Sequence, residues 1–283
     1  MSRQEAVLAT PEIDETTRRG GDGATDRRGR RLLRCWLLES RAEFLKVVRM
    51  PAYAIPTILF PAMFYILFGL SFGAGQQAGS VSMSTYLLAT YGAFGVLGAA
   101  LFGFGVGVAI ERGQGWMLLK RASPMPVGVY FAAKMVMALL MSIVIVALLT
   151  GLGLAFGDVP FEPATLAGLA GMLLIGALPF CAFGLLLGIF LGPNSAPAVV
   201  NLIYLPMAFA SGMWIPLPAL PEFFQRLAPY LPAYHYSQLA LGTIGADDSR
   251  PALLHVAALC VFVVLCLLGA AWAWRRDEDR TYG

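Results

Sequence analysis

The sequence predicts an all-α integral membrane protein with six transmembrane helices and both termini on the cytoplasmic side. Three observations predict it: a deficit of charge, four long intervals with no charge at all, and a one-sided distribution of Lys and Arg. The 283-residue chain is 58% hydrophobic and 13% charged, with a mean hydropathy of +0.70, whereas a soluble domain carries about 25% charged residues. Placing Lys, Arg or Asp at the centre of a bilayer costs roughly 2.5–3.5 kcal/mol on insertion scales, so spans are emptied of them. Residues 50–110, 135–157, 163–221 and 251–274 hold no Asp, Glu, Lys or Arg, and about 20 residues suffice for one crossing.

Residues 1–31 are polar, rich in Gly and Arg, and lack the apolar core of a secretory signal, so they read as a disordered cytoplasmic tail. Residues 32–50 mix Leu33, Trp36, Leu37, Phe44, Val47 and Val48 with Arg34, Glu39, Arg41, Glu43, Lys46 and Arg49. That mixture suits an amphipathic helix in the inner interface; a helical extension of the first span is the alternative. The first charge-free interval holds two spans, 51–72 and 86–110, parted by a polar, Gly-rich stretch. One span is expected over 131–156, and two over 164–191 and 197–215, broken at "GPNSAP". The last is 252–274, followed by a short tail, 277–283. The membrane domain thus covers 32–276.

Orientation follows from the cations, because cytoplasmic loops accumulate Lys and Arg. With six spans, residues 1–50, 111–134 and the C-terminus share one face, and that face holds eighteen of the twenty. Only Arg226 and Arg250 fall opposite. An odd span count would scatter the positives.

Small residues recur at four-residue spacing, at Gly69/Gly73, Gly103/Gly107, Gly153/Gly157 and Gly184/Gly188/Gly192, which lets helix backbones approach closely in lipid. Pro179, Pro197 and Pro206 are expected to bend or break their helices. The sequence has no G-x-x-x-x-G-K-[ST], H-E-x-x-H or G-x-S-x-G, and the charge-free spans disfavour a proton-coupled carrier. The four cysteines read as small hydrophobes without metal or redox roles, and His235 and His255 as polar caps. No catalytic or metal-ligating set emerges, no cofactor is expected on the chain itself, and no nucleic-acid partner is expected.

Two polar stretches interrupt the apolar pattern. One is the "ERGQGWMLLKRASPMP" run from Glu111 to Pro126, with two glycines and two prolines. The other, "SGMWIPLPALPEFFQRLAPYLPAYHYSQLALG", follows the fifth expected span; its prolines forbid a single crossing helix. Short helices dipping into the outer leaflet would fit it, as would an aromatic interface belt. Together the two stretches resemble the permease subunit of type-2 ATP-binding-cassette transporters. The outer segment matches at Ser211, Gly212, Pro216, Leu220, Pro221, Gln225 and Pro232. The inner run matches at Glu111, Arg112, Gly115, Leu119, Lys120, Arg121, Ser123, Pro124 and Lys134, with Trp116 where that family has Thr and Ala133 where it has Gly.

The resemblance implies a bacterial inner-membrane export permease that pairs with itself or a sister protomer and is driven by two copies of a cytoplasmic ATPase, which would hold ATP and Mg. The missing phosphate loop independently requires such a partner. Residues 111–126 would then form its grip. Met117 and Leu119 would fill an apolar pocket, Glu111, Arg112, Lys120 and Arg121 would give ion pairs, Gly115 would bound the helix and Pro124 would end it. Plain positive-inside topology also accounts for the charges. The resemblance places the cargo pathway between spans two and five, where Phe94, Phe102, Asn201, Tyr204, Met207 and Phe209 are candidates, with ordinary packing as the alternative. An apolar lining suits a drug or a lipid-like cargo. Polysaccharide or ion efflux, and a non-transporting sensor or immunity subunit, are the competing functions.

Overall fold

The computed structural model describes residues 16–116, 126–157, 159–160 and 162–282. Among them five helices are long and apolar enough to cross a membrane: Tyr53–Phe72, Met83–Gly113, Gly128–Phe156, Pro163–Phe190 and Ala252–Arg275. These are the first four and the last of the six expected spans. The fifth, expected over 197–215, is a shorter apolar helix, Ala196–Ala210.

Helix α1 (Thr16–Val48) begins sixteen residues before the expected interfacial helix and takes in part of the expected tail; residues 1–15 lie outside the described residues. No proline lies between Pro11 and Pro51, so nothing in the chain forces a helix start at residue 32. Pro51 sets the far boundary. Its ring keeps the preceding residue out of the helical region, and Met50 sits at φ −115°, ψ 68° while Pro51 opens α2 (Pro51–Phe64). The first span then passes without a break into a π-helical stretch, Tyr65–Phe72.

The polar connection after it contains a small antiparallel hairpin, β1 (Gln77–Ala78) and β2 (Val81–Ser82). This is the one departure from an all-helical expectation among the described residues. Gly79, at φ 66°, supplies the turn. Ser82 caps the second span by accepting the Thr85 amide at 3.2 Å. That span is α3 (Met83–Ala100), a π-helical stretch (Leu101–Val106) and α4 (Gly107–Gly113). Every residue of α3 after Met83 is buried, which makes it the centre of the molecule.

Helix α5 (Val127–Phe156) forms the third span. The fourth is split into α6 (Pro163–Ile175) and α7 (Ala177–Phe190) at Gly176. Pro179 explains the break: it offers no N–H to the Ile175 carbonyl, and its ring crowds that carbonyl. Tyr236 stabilises the break. A Cβ on Gly176 would lie 2.0 Å from the Tyr236 ring, and the Tyr236 hydroxyl donates to the Leu173 carbonyl at 2.8 Å. The bend expected at Pro179 is therefore present, three residues earlier in the chain.

Helix α8 (Ala196–Ala210) has 15 residues, so it extends about 22 Å against the ~30 Å of a hydrocarbon core. It stops before residue 215 because the Ser211–Gly212 pair turns the chain. The Gly212 amide bonds to Phe209 O, and the Met213 amide to Ala208 O, with Gly212 at φ 76°; this is a Schellman cap. Pro216, Pro221 and Pro232 then punctuate short pieces: a turn at Leu217–Ala219, α9 (Glu222–Leu227), a turn at Ala228–Tyr230, and α10 (Pro232–Gly242). Gln225 ties them by donating to Leu220 O at 2.7 Å. Residues 233–241 of α10 are buried throughout. The last helix, α11 (Ala252–Tyr282), continues beyond its expected end at 274 and through most of the expected 277–283 tail.

The small-residue rows do part of the packing expected of them. Gly188 meets Gly105 so closely that an added Cβ would stand 2.7 Å from the Gly105 carbonyl, and one on Gly184 would stand 3.1 Å from the Gly105 amide. The partner of Gly184 and Gly188 is thus Gly105, which lies between the expected pair Gly103 and Gly107. Gly188→Ala forces two backbones apart and should lower stability by about 1–3 kcal/mol. Gly171→Ala, at a helical glycine with open space around its missing Cβ, should be neutral or stabilising by about 0.5–1 kcal/mol. Thermal unfolding midpoints of the two detergent-solubilised variants check the contrast; equal shifts would refute the close-approach reading.

Candidate functional site

Three elements converge where α1 passes the end of α4 and the start of α5. Glu111 ends the second span with 7% of its surface exposed, Glu43 on α1 has 5%, and Lys134, about two turns into α5, has 3%. Lys134 Nζ donates to Glu43 Oε2 at 3.1 Å and to Glu111 Oε1 at 3.0 Å. Lys46 Nζ reaches Glu111 Oε1 at 2.6 Å and also pairs with Glu43. The Tyr130 hydroxyl donates to Glu111 Oε2 at 2.6 Å. Two lysines and two glutamates thus neutralise one another, and each carboxylate has partners on both oxygens. Burial disfavours the Lys46 charge, but the hydrogen bonds it donates to Glu111 and Glu43, with their negative charge, outweigh it, so its pKa is raised above the ordinary lysine value. Lys46 also stands 5.2 Å from the Trp116 ring centre.

Lys46 and its partners form the polar wall of a cavity of about 540 Å³ whose other walls are apolar, including Met50, Phe102, Val106, Ile110, Met137 and Met141. A second cavity of about 280 Å³ adjoins it, lined by Tyr53, Thr57, Phe60, Phe102, Asn201 and Tyr204 among others. Tyr53 and Phe102 line both, so the two cavities share a wall and together make up a groove region reaching from the ion cluster along the first and second spans to α8. The π-helical stretch at Leu101–Val106 places Phe102 and Gly103 on that groove; such stretches recur where a helix presents a functional surface.

The expected pathway residues divide. Phe102, Asn201 and Tyr204 line the groove. Phe94 lies behind it, fully buried and stacked on Tyr204 at 4.8 Å, whose hydroxyl donates to the Phe94 carbonyl at 2.9 Å. Met207 is buried in the core. Phe209 belongs to an aromatic group at the other end of α8, 6.0 Å from Trp214 and 5.3 Å from Phe224. Ser211, Gly212, Pro216, Pro221 and Pro232 form the caps and turns already described.

Of the expected coupling residues, Glu111 faces inward and is taken up by Lys46, Lys134 and Tyr130. The sequence alone places Glu111 among the contacts to another subunit; in the fold its carboxylate is buried and paired within the chain. Arg112 donates to the Leu191 carbonyl at 3.4 Å, which joins the end of the second span to the end of α7. Gly115 takes φ 77° and turns the chain toward Trp116. Met117, Leu119, Lys120, Arg121 and Pro124 lie outside the described residues. The sequence alone places Glu43 and Lys46 on an amphipathic interfacial helix and gives Tyr130 no role. The available signal was Lys134, a cation placed next to a charge-free run that needs a carboxylate at its own depth.

A family model described as "ABC-2 type transporter" matches residues 35–244. Over 240 residues the chain is 25% identical to YvfS of Bacillus subtilis (strain 168), whose name gives it provisionally as a transport permease; the match covers 85% of this chain and 97% of that protein. Shorter matches join it to Nodulation protein J of Rhizobium leguminosarum bv. viciae, 33% identical over 76 residues, 27% of this chain and 29% of that protein. Nodulation protein J of Sinorhizobium fredii (strain NBRC 101917 / NGR234) is 35% identical over 65 residues, 23% of this chain and 25% of that protein.

Removing one member of a buried ionic network leaves an uncompensated charge, at a cost of about 3–5 kcal/mol. Lys134→Met should therefore be strongly destabilised, and Lys134→Met with Glu43→Leu less so than the single change. A double-mutant cycle on unfolding midpoints measures the coupling; additive effects would show that the two side chains do not share a network.

Proposed function

The chain belongs to the ABC-2 type transporter family, and from that premise we propose that it is the permease subunit of an ATP-driven exporter moving a hydrophobic or amphiphilic cargo outward. The groove carries the reading: an apolar channel with an ionic wall at the α1 end matches a molecule with a polar head and a greasy body. On this reading α1 lies along the inner leaflet, with Leu33, Leu37, Leu38 and Phe44 exposed to acyl chains. The chain crosses six times with both ends inside, the short α8 serving as the fifth crossing, and α9 and α10 sit in the outer leaflet. A second permease protomer closes the groove, whose open side runs along α2 and α8. A large polar glycan would need hydrogen-bonding groups that the mainly apolar groove lacks.

Two copies of a separate ATPase supply the work, binding ATP and Mg, and they grip the segment after Trp116. The ion cluster ties α1, α4 and α5 into one body, so force applied next to Glu111 moves the interfacial helix and two spans together. Glu111 acts inside that body, while Lys120, Arg121 and Leu119 are offered as the outward contacts.

Co-expression with an ATPase carrying a phosphate loop should yield a complex with vanadate-sensitive ATP hydrolysis and ATP-dependent uptake of apolar dyes or lipids into inverted vesicles. Uptake without an ATPase partner would refute the reading. Leu119→Asp should preserve membrane insertion and abolish ATP-driven uptake, at least tenfold down. Phe102→Ala and Asn201→Ala should alter which cargoes in a panel are carried, by several-fold in uptake rate, while basal ATP hydrolysis persists.

A further inference from the structure

At the end of the molecule away from the ion cluster, α10 and α11 are joined by a pair of histidines. His235 and His255 are 7% and 1% exposed, and their Nδ1 atoms lie 2.9 Å apart. His235 Nε2 is 3.0 Å from the Pro229 carbonyl oxygen. His255 Nε2 is 3.4 Å from Asp248 Oδ1. Asp248 is itself held from several sides. Its carboxylate accepts from the Tyr234 hydroxyl and from the Arg250 backbone amide at 3.1 Å and pairs with the Arg250 guanidinium at 3.1 Å, and its amide donates to Gln238 Oε1 at 2.9 Å. Ser249, at φ 62°, is the tight turn that brings Asp248 and Arg250 onto the pair.

The partners fix the protons. A carbonyl only accepts, so His235 Nε2 carries a hydrogen. The contact between the two Nδ1 atoms holds one hydrogen, and while His235 is neutral that hydrogen belongs to His255. His255 Nε2 is the remaining position. Unprotonated, it turns a lone pair toward a carboxylate; protonated, it faces that carboxylate as an ion pair at 3.4 Å. The two rings together thus hold at most three hydrogens without conflict, and a fourth can go only into the ring-to-ring contact, at His235 Nδ1. That places two N–H groups head to head at 2.9 Å.

We propose that His235 and His255 form an acid-released latch between α10 and α11, in which uptake of a proton at His235 Nδ1 breaks the ring-to-ring hydrogen bond and frees the end of the molecule that α10 closes. The charged and titratable groups around the pair are few. Asp248 and Arg250 come from the connecting loop, Tyr234 from α10 itself, and Tyr86, which faces Tyr234, from the start of α3. Tyr236 occupies the opposite face of α10, against Leu173. Among the described residues Asp248 therefore offers the one compensating negative charge at the pair, enough for one imidazolium. Burial first, then the His255 charge, hold the His235 pKa below the ordinary imidazole value. The sign follows from that depression: stability from neutral His235 is complete above about pH 6.5 and falls as the pH drops below it. Where the far end is the exit, which rests on the export reading, an acidic exterior loosens the exit; the latch itself rests on geometry alone.

The test uses the full chain in lipid nanodiscs. Hydrogen exchange of peptides covering residues 229–255, corrected for the intrinsic pH dependence, should rise on the order of tenfold per pH unit below the imidazole range, while peptides from α5 stay flat. His235→Gln keeps a donor at the Nε2 position and removes the titration, so its exchange should lose that acid step. Nitrogen-15 spectra of the histidine rings at neutral pH should show His235 protonated at Nε2 and a hydrogen-bonded, unprotonated Nδ1. The latch is overturned by an Nδ1-protonated neutral His235, or by identical exchange profiles in wild type and His235→Gln. Neither readout depends on cargo or ATP, so failure of the latch is distinguishable from failure of the export reading.

Discussion

Four paired side chains, three of them buried and Lys46 half-buried, govern the α1 end of this protein. Taking even one carboxylate out of water costs several kcal/mol, which opposite charge and hydrogen bonds must offset. Glu43, Lys46, Glu111 and Lys134 do this for one another, and Tyr130 supplies the remaining donor. Because the charges sit on three different helices, satisfying them fixes where α1 lies relative to the second and third spans. The groove inherits its position from that constraint, since its polar wall is the cluster and its apolar walls are the same helices further along.

A second constraint is the handling of backbone groups where helices stop inside the protein. Lipid offers no hydrogen bonds, so each interruption needs its own partner. At Gly176 that partner is the Tyr236 hydroxyl; at Gly212 it is a Schellman cap. The two lie on neighbouring elements, so α10 is at once the product of one break and the support of another. The same crowded region holds the histidine pair, and its joint to α11 is polar where the rest of the packing is apolar. In a transport permease, a joint that is strong only in one protonation state is suited to an element that moves.

How much was legible varies with the physics of each feature. Five spans follow from composition because a crossing helix must exclude charge over about 20 residues, a linear property of the chain. The α8 boundary was misplaced for a local reason: apolarity continues through Met213–Ile215, but Gly212 in the left-handed region ends the helix first. Low apolarity makes residues 16–31 read as tail, whereas α1 takes them in despite Gly20, Gly21, Gly23 and Gly29, with no proline before Pro51 to end it. Phe102, Asn201 and Tyr204, which the resemblance places on a cargo pathway, line the groove. Phe94 and Met207 were named with them and are core, since a side chain's depth depends on which way its helix is rotated.

The sequence by itself determined that this is a multi-pass membrane protein, where its polar interruptions fall, and that it resembles ABC-2 permeases. Tertiary structure decided which charges meet. Glu111 reads as an outward contact in the chain and lies inward in the fold, while Glu43, sixty-eight residues earlier, becomes its neighbour through Lys134. Likewise His235 and His255 are two unrelated polar residues until the turn at Ser249 brings their rings together. The reason is physical: charge exclusion and helix breaking act along the chain, but pairing of buried polar groups acts between segments and depends on how the helices dock.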